Sequence, residues 1–131
     1  MGESISFRHT ILVAASDIDD MGHVNNVVYV RYIQEVAAAH WAQVASEELK
    51  EKYLWVVLHH EIDYRNPAFL SDEIIGETWV GEHQGARFER FVKLTSSSSG
   101  KILVESKTVW CMLDAETGRP VRIGDDVLGV L

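Results

Sequence analysis

The chain has 131 residues, of which 47% are apolar and 24% charged, with a formal net charge of −8. That length fills one hydrophobic core and is too short for two ordinary domains, so residues 1–131 are expected to form a single domain. The charge opposes a nucleic-acid partner, whose affinity comes from Lys and Arg contacts to phosphate, and no apolar run reaches the ~20 residues of a membrane helix.

The amino-terminal stretch has no basic region followed by a continuous apolar run and does not read as a signal peptide. MGESIS fits the short, degenerate N-myristoylation pattern at Gly2 and Ser6, which carries little weight by itself. The lone Cys111 has no partner for an internal disulfide, which agrees with a reducing, cytoplasmic setting. Ser6 to Ala14 keeps an imperfect period of two and is expected to be the first strand. SDIDDMGHVNN follows, rich in the Asp, Asn and Gly that turn the chain and cap helices.

From about Val27 to Leu49 there is neither Gly nor Pro, and Val30, Ile33, Ala37, Trp41 and Val44 recur at helical spacing. Val28, Val36, Ala38, Ala39 and Ala45 add a second apolar face, so the spacing predicts one long helix surrounded by protein. The remainder reads as strands over Leu54 to Tyr64, Glu73 to Glu82, Arg87 to Thr95 and Ile102 to Leu113, with SSSSGK and ETGRP as turns. The expected fold class is therefore α+β, a five-stranded antiparallel sheet curled around one long helix. Its open edges predict a homo-oligomer, a dimer at least.

The stretch from Asp17 to Tyr29 concentrates the chemistry. A helix start offers unpaired N–H groups and a partial positive charge that suit a developing oxyanion, and a carboxylate a few residues earlier can activate water. The same residues also suit a plain helix cap, with His23 satisfying a buried hydrogen bond. Adjacent His59 and His60 point to opposite faces of a strand and cannot easily share one ion, so no metal site is expected. Neither a G-x-S-x-G elbow, a P-loop nor a dinucleotide fingerprint is present, and no cofactor is called for. Trp41, Trp55, Trp79, Phe69 and Tyr29 are candidates both for a ligand pocket and for the core.

Asp17-Ile18-Asp19-Asp20-Met21-Gly22-His23-Val24-Asn25-Asn26-Val27-Val28-Tyr29 resembles the D-x-D-x-x-x-H-V-N-N-x-x-Y signature of the hotdog-fold thioesterases. IDYRNPAFLSDEI and TVWCMLDAETGRPVRI are similar to later segments of the same family, of which the relatives of 4-hydroxybenzoyl-CoA thioesterase and the plant acyl-ACP thioesterases are branches. The resemblance implies a hotdog fold and hydrolysis of an acyl-CoA or acyl-ACP thioester, in a homodimer or homotetramer. It implies Asp19 as general base or nucleophile and the backbone N–H at or near Asn26 as the oxyanion donor. His23 falls where the acyl-ACP branch has a functional histidine, although Met21 replaces that branch's asparagine. Asp17 is assigned to holding the loop and Asp20 to solvent. Asn25 would support the loop, Tyr29 would line the acyl pocket or pack in the core, and Arg87 and Arg90 would hold phosphate of the pantetheine and nucleotide end. Alternatives are a non-catalytic acyl-CoA binding protein and a hotdog-fold hydratase or dehydratase.

Overall fold

The structure, a computed structural model, describes residues 6–131, so Gly2 of the myristoylation pattern lies outside it. In chain order it comprises β1 (Phe7–Leu12), a 3-10 turn (Ala15–Asp17), α1 (Asn26–Val44), α2 (Glu47–Lys52), β2 (Tyr53–Tyr64), β3 (Glu73–Gln84), β4 (Arg87–Ser96), β5 (Ile102–Asp114) and α3 (Asp125–Leu128). The strands form one antiparallel sheet in the order β1-β3-β4-β5-β2, which leaves β1 and β2 at the edges. The five expected strands and the long helix are all present.

Strand periodicity decides what the sheet presents to α1. On β4, Phe88, Arg90, Val92, Leu94 and Ser96 are all buried while the residues between them are not. In register with them stand Trp110, Thr108, Ser106 and Val104 of β5. On α1 the buried residues are Tyr29, Tyr32, Ile33, Val36, Ala37 and His40, one stripe at spacings of three and four. The sequence reading of a helix enclosed on all sides is thus corrected: in the single chain Val27 and Ala38 are exposed and Val28 is only half-buried. Ile33, Val36, Ile74, Val92, Leu94, Leu103 and Val104 make the core beneath the amino-terminal part of α1, and Tyr53, Phe88, Met112, Ile123 and Val127 make a second core at the other end of the sheet.

A second correction concerns the single helix expected to Leu49. Ala45 is extended, and Ser46 caps a new helix by accepting from the Leu49 N–H at 3.1 Å. Glu47 and Glu48 in its first turn and Lys50 and Lys52 in its last complement the helix dipole. The break turns the chain onto β2. The four-residue α3 was not anticipated. It forms where the carboxy-terminal segment folds back, Val121 N–H donating to Met112 at 3.0 Å and Ile123 N–H to Gly85 at 2.9 Å.

Helix and sheet approach closely at Gly76 on β3. A Cβ there would overlap Val36 Cγ2 and lie 3.2 Å from the His9 carbonyl oxygen. Val36 is fully buried. Gly76→Ala is therefore expected to destabilise the fold by about 1–3 kcal/mol through overpacking. Chemical denaturation checks this; an unchanged midpoint would show that α1 can shift away from the sheet freely.

Candidate active site

The loop between β1 and α1 is built around the Asp17 carboxylate, which is 3% exposed. Its Oδ2 accepts from the Tyr32 hydroxyl at 2.7 Å and from the Ala14 N–H at 3.1 Å, and its Oδ1 accepts from the Arg31 guanidinium. Burial pushes the Asp17 pKa up, but the three hydrogen bonds and the Arg31 charge outweigh it and hold the group below its ordinary value. The Asp17 carbonyl also accepts from the Asn25 N–H at 3.1 Å. Asp17 thus holds the loop against the second turn of α1.

Beyond this anchor the chain makes a small hairpin. Ile18 pairs with Val24, the Asp19 N–H donates to the His23 carbonyl at 3.0 Å, and the Gly22 N–H closes a turn on the Asp19 carbonyl at 3.0 Å. Gly22 has φ +82°, a conformation that favours glycine. Asp19 accepts from the Met21 N–H at 2.9 Å through Oδ1, while its Oδ2 has no hydrogen-bond partner among the described residues. The side chain is 28% exposed, and His23 Nδ1 lies 4.0 Å from the same Oδ1. Asp20 is exposed.

Asn25 is the cap of α1, its side chain accepting from the Val27 N–H at 3.0 Å. That choice matters because it leaves the N–H of Asn26, the first helical residue, with no partner among the described residues. The Asn26 carbonyl accepts from the Tyr64 hydroxyl at 3.3 Å. A free carboxylate oxygen, a histidine and an unengaged helix-start amide are therefore gathered within one eight-residue loop. Exposed apolar side chains surround it, namely Met21, Val27, Phe69 and Tyr64. Phe69 meets the His23 ring edge-on at 6.5 Å.

The remaining expected site residues fall elsewhere. Tyr29 packs in the core, 2% exposed, with its hydroxyl accepting from the Ala68 N–H at 3.0 Å. It supports the loop after Pro67, whose Ala68 carbonyl in turn receives the Val24 N–H at 2.8 Å. Arg87 is exposed at the start of β4, in register with Cys111. Arg90 is not on the surface where a phosphate contact was expected: the inner face of β4 buries it to 7% exposure. Its Nη1 donates to His40 Nδ1 and to Thr78 Oγ1, both at 3.0 Å.

A family model described as the thioesterase-like superfamily matches residues 13–131. The chain belongs to that superfamily. It is 31% identical over 116 residues to the uncharacterized protein Rv2001 of Mycobacterium tuberculosis, covering 88% of this chain and 45% of that one. It is 24% identical over 134 residues to an acyl-[acyl-carrier-protein] hydrolase of Cuphea viscosissima, covering 95% of this chain and 32% of the relative. The chain thus spans less than half the length of these curated relatives. Among solved structures, a 1,4-dihydroxy-2-naphthoyl-CoA thioesterase from Synechocystis superposes with TM-score 0.82 at 15% identity over 95% of this chain and 94% of that one. A Thermus thermophilus thioesterase complexed with coenzyme A and zinc gives 0.81 at 23% over 94% of each. The fold of this superfamily member is the hotdog arrangement its sequence signature implied.

Two groups escaped the sequence reading of this thioesterase-like chain. Arg31 and Tyr32, which hold Asp17 from 14 and 15 residues away, carry no local spacing signal. His40 sits towards the carboxy-terminal end of α1 and stacks on Phe7 at 5.0 Å. A guanidinium only donates, so His40 Nδ1 accepts and the ring is neutral. Burial, with the Arg90 charge, lowers the His40 pKa from 6.5 to about 4. The unfolded chain therefore binds a proton that the folded chain refuses, and this contribution to stability is complete above pH 6.5 and lost as the pH falls towards 4. Between pH near 7.5 and near 5 the loss is expected to be about 2 kcal/mol. Denaturation of the wild type and His40→Gln at both pH values measures it; an equal pH dependence in the two proteins would remove His40 as its source.

Proposed function

We propose that the chain hydrolyses an acyl thioester of coenzyme A or acyl carrier protein to a carboxylic acid and a free thiol. The observation that carries this reading is the pairing of the Asp19 carboxylate, with one oxygen unengaged, and the unengaged Asn26 N–H at the start of α1. Superfamily membership supports thioester hydrolysis as the reaction class.

In the proposed reaction the thioester carbonyl oxygen accepts from the Asn26 N–H, where the amide and the helix dipole stabilise the charge that develops on it. Asp19 takes a proton from water as the water oxygen bonds to the carbonyl carbon. Collapse of the tetrahedral intermediate breaks the C–S bond, and the thiolate leaves with the proton that Asp19 holds. Direct attack by Asp19 gives the same products through an anhydride that water opens. His23, 4.0 Å from Asp19, is a positioning residue for the carboxylate. Asn25 contributes by capping Val27 and leaving Asn26 free.

A homodimer or larger assembly of single-domain chains fits this reading. The β2 edge is open, and Leu54, Val56 and Leu58 along it are 49%, 40% and 49% exposed. No helix among the described residues is long and apolar enough to cross a membrane. The buried, unpaired Cys111 fits a cytoplasmic setting.

The test is thiol release from a panel of short, medium, long and aromatic acyl-CoAs and from acyl-ACP. Asp19→Asn is expected to lower turnover by ~10²-fold or more, the scale of a lost general base, with the melting temperature unchanged. Absence of turnover by folded wild type on every member would refute the hydrolase reading, and full activity of the variant would remove Asp19 from it.

A further inference from the structure

At the other end of α1 a cavity of about 340 Å³ opens between the helix and the inner face of the sheet, lined by Trp41, Trp55, Phe88, Arg90 and Trp110. That volume lies at the low end for small-molecule sites. Ala37 and Ala42, also on its wall, follow Asn26 by 11 and 16 residues, which places them about 17 to 24 Å along the helix axis. No residue of the Asp17–Asn26 loop contributes to it. The packed core of Ile33, Val36, Val92 and Leu94 stands between the two.

The wall is aromatic, yet it carries a cation without a counter-charge and indole donors without acceptors. Arg90 has no carboxylate within 4.0 Å among the described residues, and the two groups it meets, neutral His40 and Thr78, bring no negative charge. Burial alone acts on its pKa, lowering it to about 10, so the guanidinium stays charged at neutral pH. The indole nitrogens of Trp55 and Trp110 are buried and have no acceptor either. The Glu89 carboxylate is engaged elsewhere, with Lys107 at 2.9 Å and the Glu82 N–H at 3.2 Å. A buried cation is costly unless paired, and buried indole N–H groups ordinarily find a partner.

We propose that this cavity is a carboxylate-binding site for a compact apolar acid, whose hydrocarbon part fills the aromatic wall and whose carboxylate meets Arg90. The geometry demands a negative head on a small greasy body. Two sources share that chemistry: a free carboxylic acid, such as a reaction of the kind proposed above would release, and an acyl group that ends in a second carboxylate. The binding site itself does not depend on hydrolysis.

Three of the four tryptophans line the cavity, while Trp79 stacks on Phe91 outside it, so intrinsic fluorescence reports its occupancy. Cyclohexanecarboxylate and hexanoate are titrated into the full chain beside their uncharged amides. The acids are expected to shift the emission and to bind at least tenfold more tightly than the amides. Arg90→Met should abolish that preference and leave the amides where they were. Equal binding of acid and amide by the wild type, no response to either, or an undiminished acid preference in Arg90→Met would overturn the proposal. The wild-type comparison stands even if the variant does not fold. Rates with a carboxylate-ended acyl-CoA and its neutral analogue of equal length then separate the sources. A tenfold preference for the charged chain assigns the site to substrate, and equal rates with acid binding intact assign it to the free acid.

Discussion

The Asp17 carboxylate is the constraint on which the candidate site depends. It is buried with the Tyr32 hydroxyl, the Arg31 guanidinium and the Ala14 N–H directed at it, so that one side chain ties the end of the β1 connection to the second turn of α1. Its own carbonyl receives Asn25, which fixes where the helix starts. Asp19 is therefore presented by a loop clamped at both ends. Removing the Asp17 charge would leave Arg31 without its partner and the loop without its pivot, a cost that falls on geometry as much as on stability.

The same helix organises the opposite end differently. Around its start, polar groups are exposed and surrounded by apolar side chains that invite a partner or a substrate. Towards its carboxy terminus, polar groups line up across the sheet: buried Arg90 on β4 stands in register with buried Thr108 on β5 and half-buried His60 on β2, and His60 Nδ1 lies 2.8 Å from Thr108 Oγ1. With His40 they make a polar patch beside the apolar residues of the same face. Gly76 permits the close helix approach between the two ends. One element thus separates the solvent-facing terminus that carries the candidate site from a polar layer on the sheet.

Much of this was legible in the sequence because it rests on local pattern. The strands follow a period of two, and the Asn pair marks the helix start within one residue. What escaped depended on contacts distant along the chain. Ser46 reads as an ordinary polar residue in a helical pattern until Ala45 turns extended and the chain must reach β2. Arg90 was read by its charge and by analogy with the family's strand positions, whereas its alternation with Phe88, Val92 and Leu94 puts it on the inner face. Tyr29 was open between pocket and core, and only the loop after Pro67, folding over its hydroxyl, decides for the core.

The most direct measurement is a crystal structure of the wild-type protein with a non-hydrolysable acyl-CoA in which a methylene replaces the thioester sulfur. The expected result is a carbonyl oxygen about 3 Å from the Asn26 nitrogen, with the Asp19 carboxylate facing the carbonyl carbon directly or through one water. A carbonyl bound away from the start of α1, with the Asn26 N–H pointing elsewhere, would contradict the assignment of this loop as the reactive centre.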